Sequence, residues 1–307
     1  MSYQDETLPR PHVVALGGGY GLSTSLRAAR RFAGRVTGIV SVADDGGSSG
    51  RLRRAFGIPA PGDLRRCLVA LAEEGSPWAD AFEHRFAASE LEGHPLGNII
   101  LAGLTETLGS FGAAIDQALL LLGGVGKVYP ATVEPAVLKA TYERRGGTTD
   151  KPISVIGTVE GEVRVGATKG LVSVEVIPQD PQVPSEALEA IADADLLCIG
   201  PGSLFTSVLA VTAVPRIRNA LAAAKGQRVY VANLAEQHPE TTGFDVADHL
   251  RSLHDHGVKI DTVLTDPRGL RRGSIEDVMV LGLPLSLRHD ERLHDEGLLA
   301  DALQRLL

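Results

Sequence analysis

Cysteine is nearly absent from this chain: Cys67 and Cys198 are the only two in 307 residues. Both lie in apolar runs, Cys67-Leu68-Val69-Ala70-Leu71 and Leu196-Leu197-Cys198-Ile199, which excludes a disulfide framework and a cysteine-based zinc site. Aromatic residues make up 4%, with a single tryptophan, which counts against a pocket built by stacking on a flat ring. Excess positive charge is missing too. The formal net charge is −8, the wrong sign for a general nucleic-acid binder, whose phosphate partner needs a cationic surface. No run of about 18 uncharged apolar residues occurs, so no membrane-spanning helix is expected. The first ten residues, with Asp5, Glu6 and Pro9, do not read as a signal peptide, and the expected setting is the cytoplasm. Nor is there a Gly-x-Ser-x-Gly elbow, an HExxH zinc motif or a Walker lysine.

What the chain does have is glycine, 35 residues of it, concentrated where it carries chemistry. Gly17-Gly18-Gly19-Tyr20-Gly21 follows the β-like run Val13-Val14-Ala15-Leu16 and opens a helix expected over Leu22–Arg31. Bare backbone N–H groups at a helix start favour an anion. Leu22 stands where the dinucleotide fingerprint has its third glycine, which argues against a nicotinamide cofactor. Glycines at 17, 19 and 21, with Ser23 in the next turn, still make a backbone nest for phosphate. A plain strand-to-helix turn would not need three consecutive glycines. Asp44-Asp45-Gly46-Gly47-Ser48-Ser49-Gly50 follows the second expected strand, Arg35–Val42, where such folds place an acidic residue on a ribose. An ordinary Asp-Gly turn accounts for Asp45-Gly46 but not for the polar glycine-serine run after it. Gly200-Pro201-Gly202-Ser203-Leu204-Phe205-Thr206-Ser207 follows the strand Leu196–Ile199 and opens another helix. Its amides and the Ser203, Thr206 and Ser207 hydroxyls should therefore face the same sheet edge, whereas a simple N-cap would use one hydroxyl.

Other signals surround these loops. Arg51, Arg53, Arg54, Arg65 and Arg66 form a basic island in which Asp63 is the only acid, a local anion site in an acidic protein. Gly93-His94-Pro95-Leu96-Gly97-Asn98 sets an imidazole and a carboxamide at a helix start, an arrangement that suits a capping turn as well as a site. Asn233 ends the strand Arg228–Ala232, and the loop through Glu236, Gln237, Glu240 and Thr241 is placed to close over a ligand. His249, His254 and His256 do not suit a metal. The first two are five apart and share no helix face, and the last two sit where a helix ends before Gly257.

Strand–helix alternation at both ends predicts an α/β, Rossmann-like three-layer fold, a mainly parallel sheet with helices on both faces. Helices expected from Asp63 through Leu71 and over Pro77–Phe86, Leu96–Leu108 and Phe111–Leu122 form a helical insertion. Residues 125–178, with Lys127–Tyr129, Ala136–Tyr142, Ile153–Val159 and Val172–Ile177, read as a short antiparallel section at one end of the main sheet. Helices Ser185–Ala192 and Asp245–His254 and a strand Ile260–Leu264 follow. The expected organisation is a flexible N-terminus over 1–11 and one domain over 12–307.

Taken together, these motifs resemble one family. The Gly17–Ser23 start, Val42–Arg53, Pro61-Gly62-Asp63-Leu64-Arg65, Gly93–Asn98, Gly200–Ser207 and Asn233-Leu234 are similar to the YvcK proteins, the gluconeogenesis factors of the CofD-like superfamily. The resemblance spans about residues 12–266. It implies a Rossmann-like fold and binding of UDP-sugars, notably UDP-N-acetylglucosamine, with a role in cell-wall homeostasis, cell shape and gluconeogenic growth and with no required cofactor. On the matching positions it implies ligand contacts by Gly18, Gly19, Tyr20, Gly21, Ser23, Asp44, Asp45, Ser48, Ser49, Arg51, Arg65, His94, Asn98, Gly200, Gly202, Ser203, Thr206, Ser207 and Asn233. Besides the nucleotide ligand, the expected partners are a regulatory protein and further copies of the chain, without nucleic acid or membrane. The alternative is the CofD branch, a 2-phospho-L-lactate transferase that uses a divalent metal. By position Asp45 and Asp63 are its candidate metal ligands, with magnesium the cofactor in that case. The chain departs from the YvcK pattern after Asn233. Where the family commonly reads Thr-Gln-Pro-Gly-Glu-Thr, it has Glu236-Gln237-His238-Pro239-Glu240-Thr241.

Overall fold

Apolar runs that stay buried on both faces set the centre of the molecule. In the computed structural model, which describes residues 10–148 and 151–307 (for 145–148 and 151–153 the backbone alone), β1 (His12–Gly17) is buried along its whole length. It leads into α1 (Gly19–Ala29) and β2 (Arg35–Val40). Residues 1–9 of the expected flexible segment 1–11 lie outside the described residues. A helical block follows, α2 (Gly47–Phe56), α3 (Gly62–Leu71), α4 (Pro77–Glu83), α5 (Leu96–Leu108) and α6 (Phe111–Leu121), before β3 (Lys127–Pro130). Next come β4 (Val137–Thr148), β5 (Lys151–Glu160), the short α7 (Glu162–Gly166) and β6 (Leu171–Ile177). Alternation resumes with α8 (Ser185–Ala192), β7 (Leu196–Ile199), a π turn over Leu204–Val208, α9 (Leu209–Thr212), α10 (Pro215–Ala223) and β8 (Gln227–Val231). The chain ends through α11 (Val246–Asp255), β9 (Thr262–Thr265), β10 (Met279–Gly282) and α12 (Glu296–Gln304).

Seven strands pair in parallel in the order β10-β9-β8-β7-β1-β2-β3. The fold is α/β and Rossmann-like. The chain winds outward from β1 to β3 on one side, then returns to β7 and winds outward on the other. The carboxyl ends of β1 and β7 therefore flank a topological switch point, where open α/β sheets bind ligands. Among the described residues no helix is long and apolar enough to cross a membrane.

Two expectations need correction. Lys127–Tyr129 is not antiparallel: it lies in β3, the parallel edge strand of the main sheet, with Thr37 opposite Lys127 and Val40 opposite Pro130. The block α2–α6 serves as a long crossover that returns the chain in the same direction, as parallel pairing requires. The antiparallel strands β5-β4-β6 form a separate sheet. It packs on a face of the main sheet, not at its end, since Leu138, Ala140, Val174 and Val176 share a core with Val14, Leu16, Ile39 and Leu197. The structure also adds α2, β10 and α12. Helix α12 buries Leu299 and Leu303, and the Asp295 side chain caps it through the amides of Gly297 and Leu298.

Candidate functional site

The loops that leave β1 and β7 are built against each other. Gly21 comes so close that a Cβ added there would sit 2.1 Å from the carbonyl oxygen of Pro201. Ser25 Oγ donates to the Gly200 carbonyl at 2.8 Å. Gly200, at φ +78°, takes a left-handed conformation that glycine alone adopts freely. Asn233 grips Gly202 on both sides: Oδ1 accepts from its N–H at 3.1 Å and Nδ2 donates to its carbonyl at 2.9 Å. Nδ2 also donates to Gln237 Oε1, and Gln237 Nε2 donates to Ser203 Oγ. Buried Glu240 accepts from the amides of Phe205 at 2.6 Å and Thr206 at 3.3 Å, so the altered 236–241 loop anchors the start of the π turn. Ser23, also buried, donates back to the Tyr20 carbonyl. Asn233, Gly202, Ser203, Thr206 and Ser23 thus shape the crevice walls, while Ser207 packs beside Gly18.

The second loop supplies an acidic edge. Asp44 Oδ1 accepts from Gly46 N at 2.8 Å, and Asp45 Oδ1 accepts from Val163 N at 3.1 Å. Asp63 pairs with Arg66 at 2.7 Å and also takes the Gly19 N–H, so a carboxylate already sits at the first glycine loop. Burial raises the Asp63 pKa, against the opposing pull of Arg66. Glu162, which the sequence reading missed, joins this edge from α7. Burial and the charges of Asp44, Asp63 and Asp45 push its carboxyl up to about 7. Among the described residues no three His, Cys, Asp or Glu side chains converge to hold a metal ion. Of the pair expected to share a divalent cation in the transferase alternative, Asp45 bonds Val163 N, and Asp63 bonds Arg66 and Gly19 N.

The basic island divides. Arg51 donates to the Glu92 carbonyl at 2.8 Å, whereas Arg65 is buried in an ion pair with Glu83. Arg66 lies over the Tyr20 ring, 4.6 Å from its centroid. His94 and Asn98 dock on α2 through one hydroxyl: Ser48 Oγ bonds His94 Nδ1 at 2.7 Å and accepts from Asn98 Nδ2 at 3.1 Å. Burial, with help from Arg51 and Arg85, holds His94 below the usual histidine range. His249 and His256, set aside as metal ligands, have protein partners in Tyr230 Oη and Val174 N.

A cleft of about 290 Å³ opens beside the two glycine loops, lined by Tyr20, Gly21, Gly202, Asn233, Arg292 and His294. The last two come from the segment before α12 and were not anticipated, because nothing local marks that segment as returning to β8. Arg292 makes no ion pair among the described residues. His294 Nε2 donates to the Ala232 carbonyl at 3.2 Å, and burial drives its pKa down to about 4. The ring is neutral at pH 7, which leaves Nδ1 as an acceptor. A larger cavity of about 640 Å³ lies at the amino ends of β1–β3, among Arg30, Arg35, Lys127 and Glu189, and holds none of the motif loops.

Two glycine loops locked together at the switch point of a doubly wound sheet define a Rossmann-like protein with a ligand crevice. The family model described as 2-phospho-L-lactate transferase CofD matches residues 13–290. The chain is 41% identical over 310 residues to a Mycobacterium leprae protein named "Putative gluconeogenesis factor", covering 95% of this chain and 85% of that one. It is 40% identical over 282 residues to the Gluconeogenesis factor of Halalkalibacterium halodurans, covering 91% and 80%. A crystal structure of a UPF0052-family protein from Bacillus halodurans superposes with a TM-score of 0.84 at 34% identity, covering 97% of this chain and 99% of that one. The chain belongs to the CofD family and, within it, to the YvcK or gluconeogenesis-factor group.

Proposed function

We propose that the protein binds a UDP-sugar of the UDP-N-acetylglucosamine type in the crevice between β1 and β7, and that binding regulates a protein partner in the cytoplasm. The observation that carries this reading is the cleft where both glycine loops meet a neutral His294 and Arg292, which has no ion pair among the described residues. Arg292 supplies counter-charge for a diphosphate through charge-assisted hydrogen bonds. His294 Nδ1 accepts an N–H or O–H of the base or sugar, and Asp44 and Glu162 suit sugar hydroxyls. Regulation follows if the ligand binds one conformation more tightly than another. Cell-wall homeostasis, cell shape and gluconeogenic growth are the processes this regulation serves.

The test is a thermal-shift series with UDP-N-acetylglucosamine, UDP-glucose, GDP and NAD, each with and without magnesium. UDP-sugars are expected to stabilise the protein without being consumed, by about 2.7 kcal/mol at a hundredfold excess over Kd. Arg292→Gln should weaken that binding about tenfold, or about 1.4 kcal/mol. A magnesium-dependent shift with GDP and a deazaflavin, and none with UDP-sugars, would replace this reading with the transferase.

A further inference from the structure

We infer that the outer edge of β5 is a docking surface for a second copy of this chain, joined by antiparallel pairing of the two β5 strands about a twofold axis at Ile156. The antiparallel sheet runs in the order β5-β4-β6, so β5 has a neighbour on one side only. Gly161 N donates to the Leu138 carbonyl, which makes Leu138 and Gly161 a hydrogen-bonded pair. Such pairs alternate along an antiparallel ladder. With Thr158 opposite Thr141 and Ile156 opposite Glu143, the backbone groups of Ser154, Ile156, Thr158 and Glu160 therefore point away from β4. None of those four N–H groups has an acceptor among the described residues.

The other strand edges are short or blocked. The main sheet ends in β3 and β10, four residues each. On β6, Val174 N donates to His256 Nε2 at 3.0 Å. By contrast β5 has ten residues and no charged residue between Lys151 and Glu160. A long apolar edge without such gatekeepers is a template for another strand. Beyond Tyr142, where the β4–β6 pairing stops, β4 and β5 continue as a two-stranded ribbon, a form that is marginal without a third strand. Ile156, 73% exposed, and Val155, 53% exposed, lie on opposite faces of that ribbon.

The sequence of β5 suits a copy of itself. An antiparallel ladder centred on Ile156 sets Ile156 against the partner's Ile156, Ser154 against the partner's Thr158, and Glu160 against the partner's Pro152. Opposed residues share a face of the sheet, so the two isoleucines cover each other and the Ser154 and Thr158 hydroxyls meet. Val155 falls opposite the partner's Gly157. The Tyr142 ring lies over that glycine, where a Cβ would be 2.5 Å from Tyr142 Oη, so the ring covers Val155. All four outward N–H groups find a carbonyl, and Pro152, which lacks an N–H, closes the ladder at each end with its own. Lys151 and Glu160 give the strand ends opposite charge, and antiparallel pairing brings unlike ends together. A twofold pair is closed and leaves no edge of β5 for further copies. Because β5 runs directly into Gly161 and α7, the ladder also links the acidic edges of the two copies.

Sedimentation velocity of the full chain between about 1 and 100 μM is expected to show a monomer giving way to a dimer. Ile156→Lys changes an exposed site, and Thr158→Pro removes one outward N–H while leaving the bonds to β4. Each should raise the dimer Kd about tenfold or more and keep the parent's circular dichroism. Ile156→Cys should give a covalent dimer with a short bis-maleimide, the two native cysteines being buried. Leu120→Cys, exposed on α6, should not. A monomer at every concentration overturns the inference and would leave the edge to a strand of another protein. A dimer that survives both strand variants, or that is captured through Leu120→Cys and not through Ile156→Cys, overturns it by placing the interface elsewhere. No nucleotide enters any of these measurements, so their outcome is independent of UDP-sugar binding.

Discussion

Glu162 is held where its charge is disfavoured, by burial first and then by Asp44, Asp63 and Asp45. Its pKa in the folded protein, about 7, lies above the ordinary value of 4.5. The folded state therefore binds the proton more tightly than the unfolded chain does. The stability this represents is complete below about pH 4.5 and is lost as pH rises through about 7. Glu162→Gln keeps the shape and removes the titration. Urea denaturation of both proteins should show the parent losing on the order of 2 kcal/mol relative to the variant between about pH 5 and pH 8. A constant difference across that range would mean that Glu162 titrates as an ordinary carboxylate. His294 works in the opposite direction. Its pKa is lowered to about 4 by burial, so stability is lost as pH falls from about 6.5 through 4. UDP-sugar binding that uses its neutral ring should persist to about pH 5, then fail.

At the scale of elements, the contact between α1 and the Gly200 loop is the most demanding in the site. The atom that a Gly21 side chain would meet is a backbone carbonyl, 2.1 Å away, and a backbone cannot swing aside. Gly21→Ala should cost about 1–3 kcal/mol and, by parting α1 from the loop, lower UDP-sugar affinity about tenfold or more. Gly103→Ala is the matching control. It lies inside α5 with no atom near the added methyl, so thermal denaturation should show it stabilised by about 0.5–1 kcal/mol. The same comparison explains what was legible in the sequence. Strand, glycine turn and helix follow one another within a few residues at Val13–Leu26 and again at Leu196–Val208, so the crevice could be located from local pattern. Helix α2 could not, because Gly47-Ser48-Ser49-Gly50 has poor helix propensity. It forms through packing: buried Leu52 joins the core, and Gly50 lies so near Asp45 that a Cβ would be 1.9 Å from its carbonyl oxygen. The direction of β3 was hidden for a similar reason, since a parallel return is decided by a crossover of many residues and not by the strand itself.

Across the whole molecule, the candidate site is a joint product of both sheets. The main sheet brings Asp44 and Asp45 to its carboxyl edge, and the antiparallel sheet folds back so that α7 delivers Glu162 to the same place. The Asp45–Val163 hydrogen bond joins residues 118 apart in sequence, a distance no local pattern reports. Gly161 makes the approach feasible, because a Cβ there would lie 2.2 Å from Asp45 Oδ2. Asp45 on this view is first a tie between two layers, and its variants separate that role from direct ligand contact. Asp45→Asn retains an acceptor for Val163 N, whereas Asp45→Ala removes it. Amide hydrogen exchange should show α7 and the end of β5 opening about tenfold more readily in Asp45→Ala, equivalent to about 1.4 kcal/mol, with Asp45→Asn close to the parent and β1, β2 and β7 unchanged in both. If Asp45 acts through the tie alone, UDP-sugar affinity falls in Asp45→Ala and survives in Asp45→Asn. Equal loss in both variants, with α7 still protected in Asp45→Asn, would assign the carboxylate charge itself to the ligand.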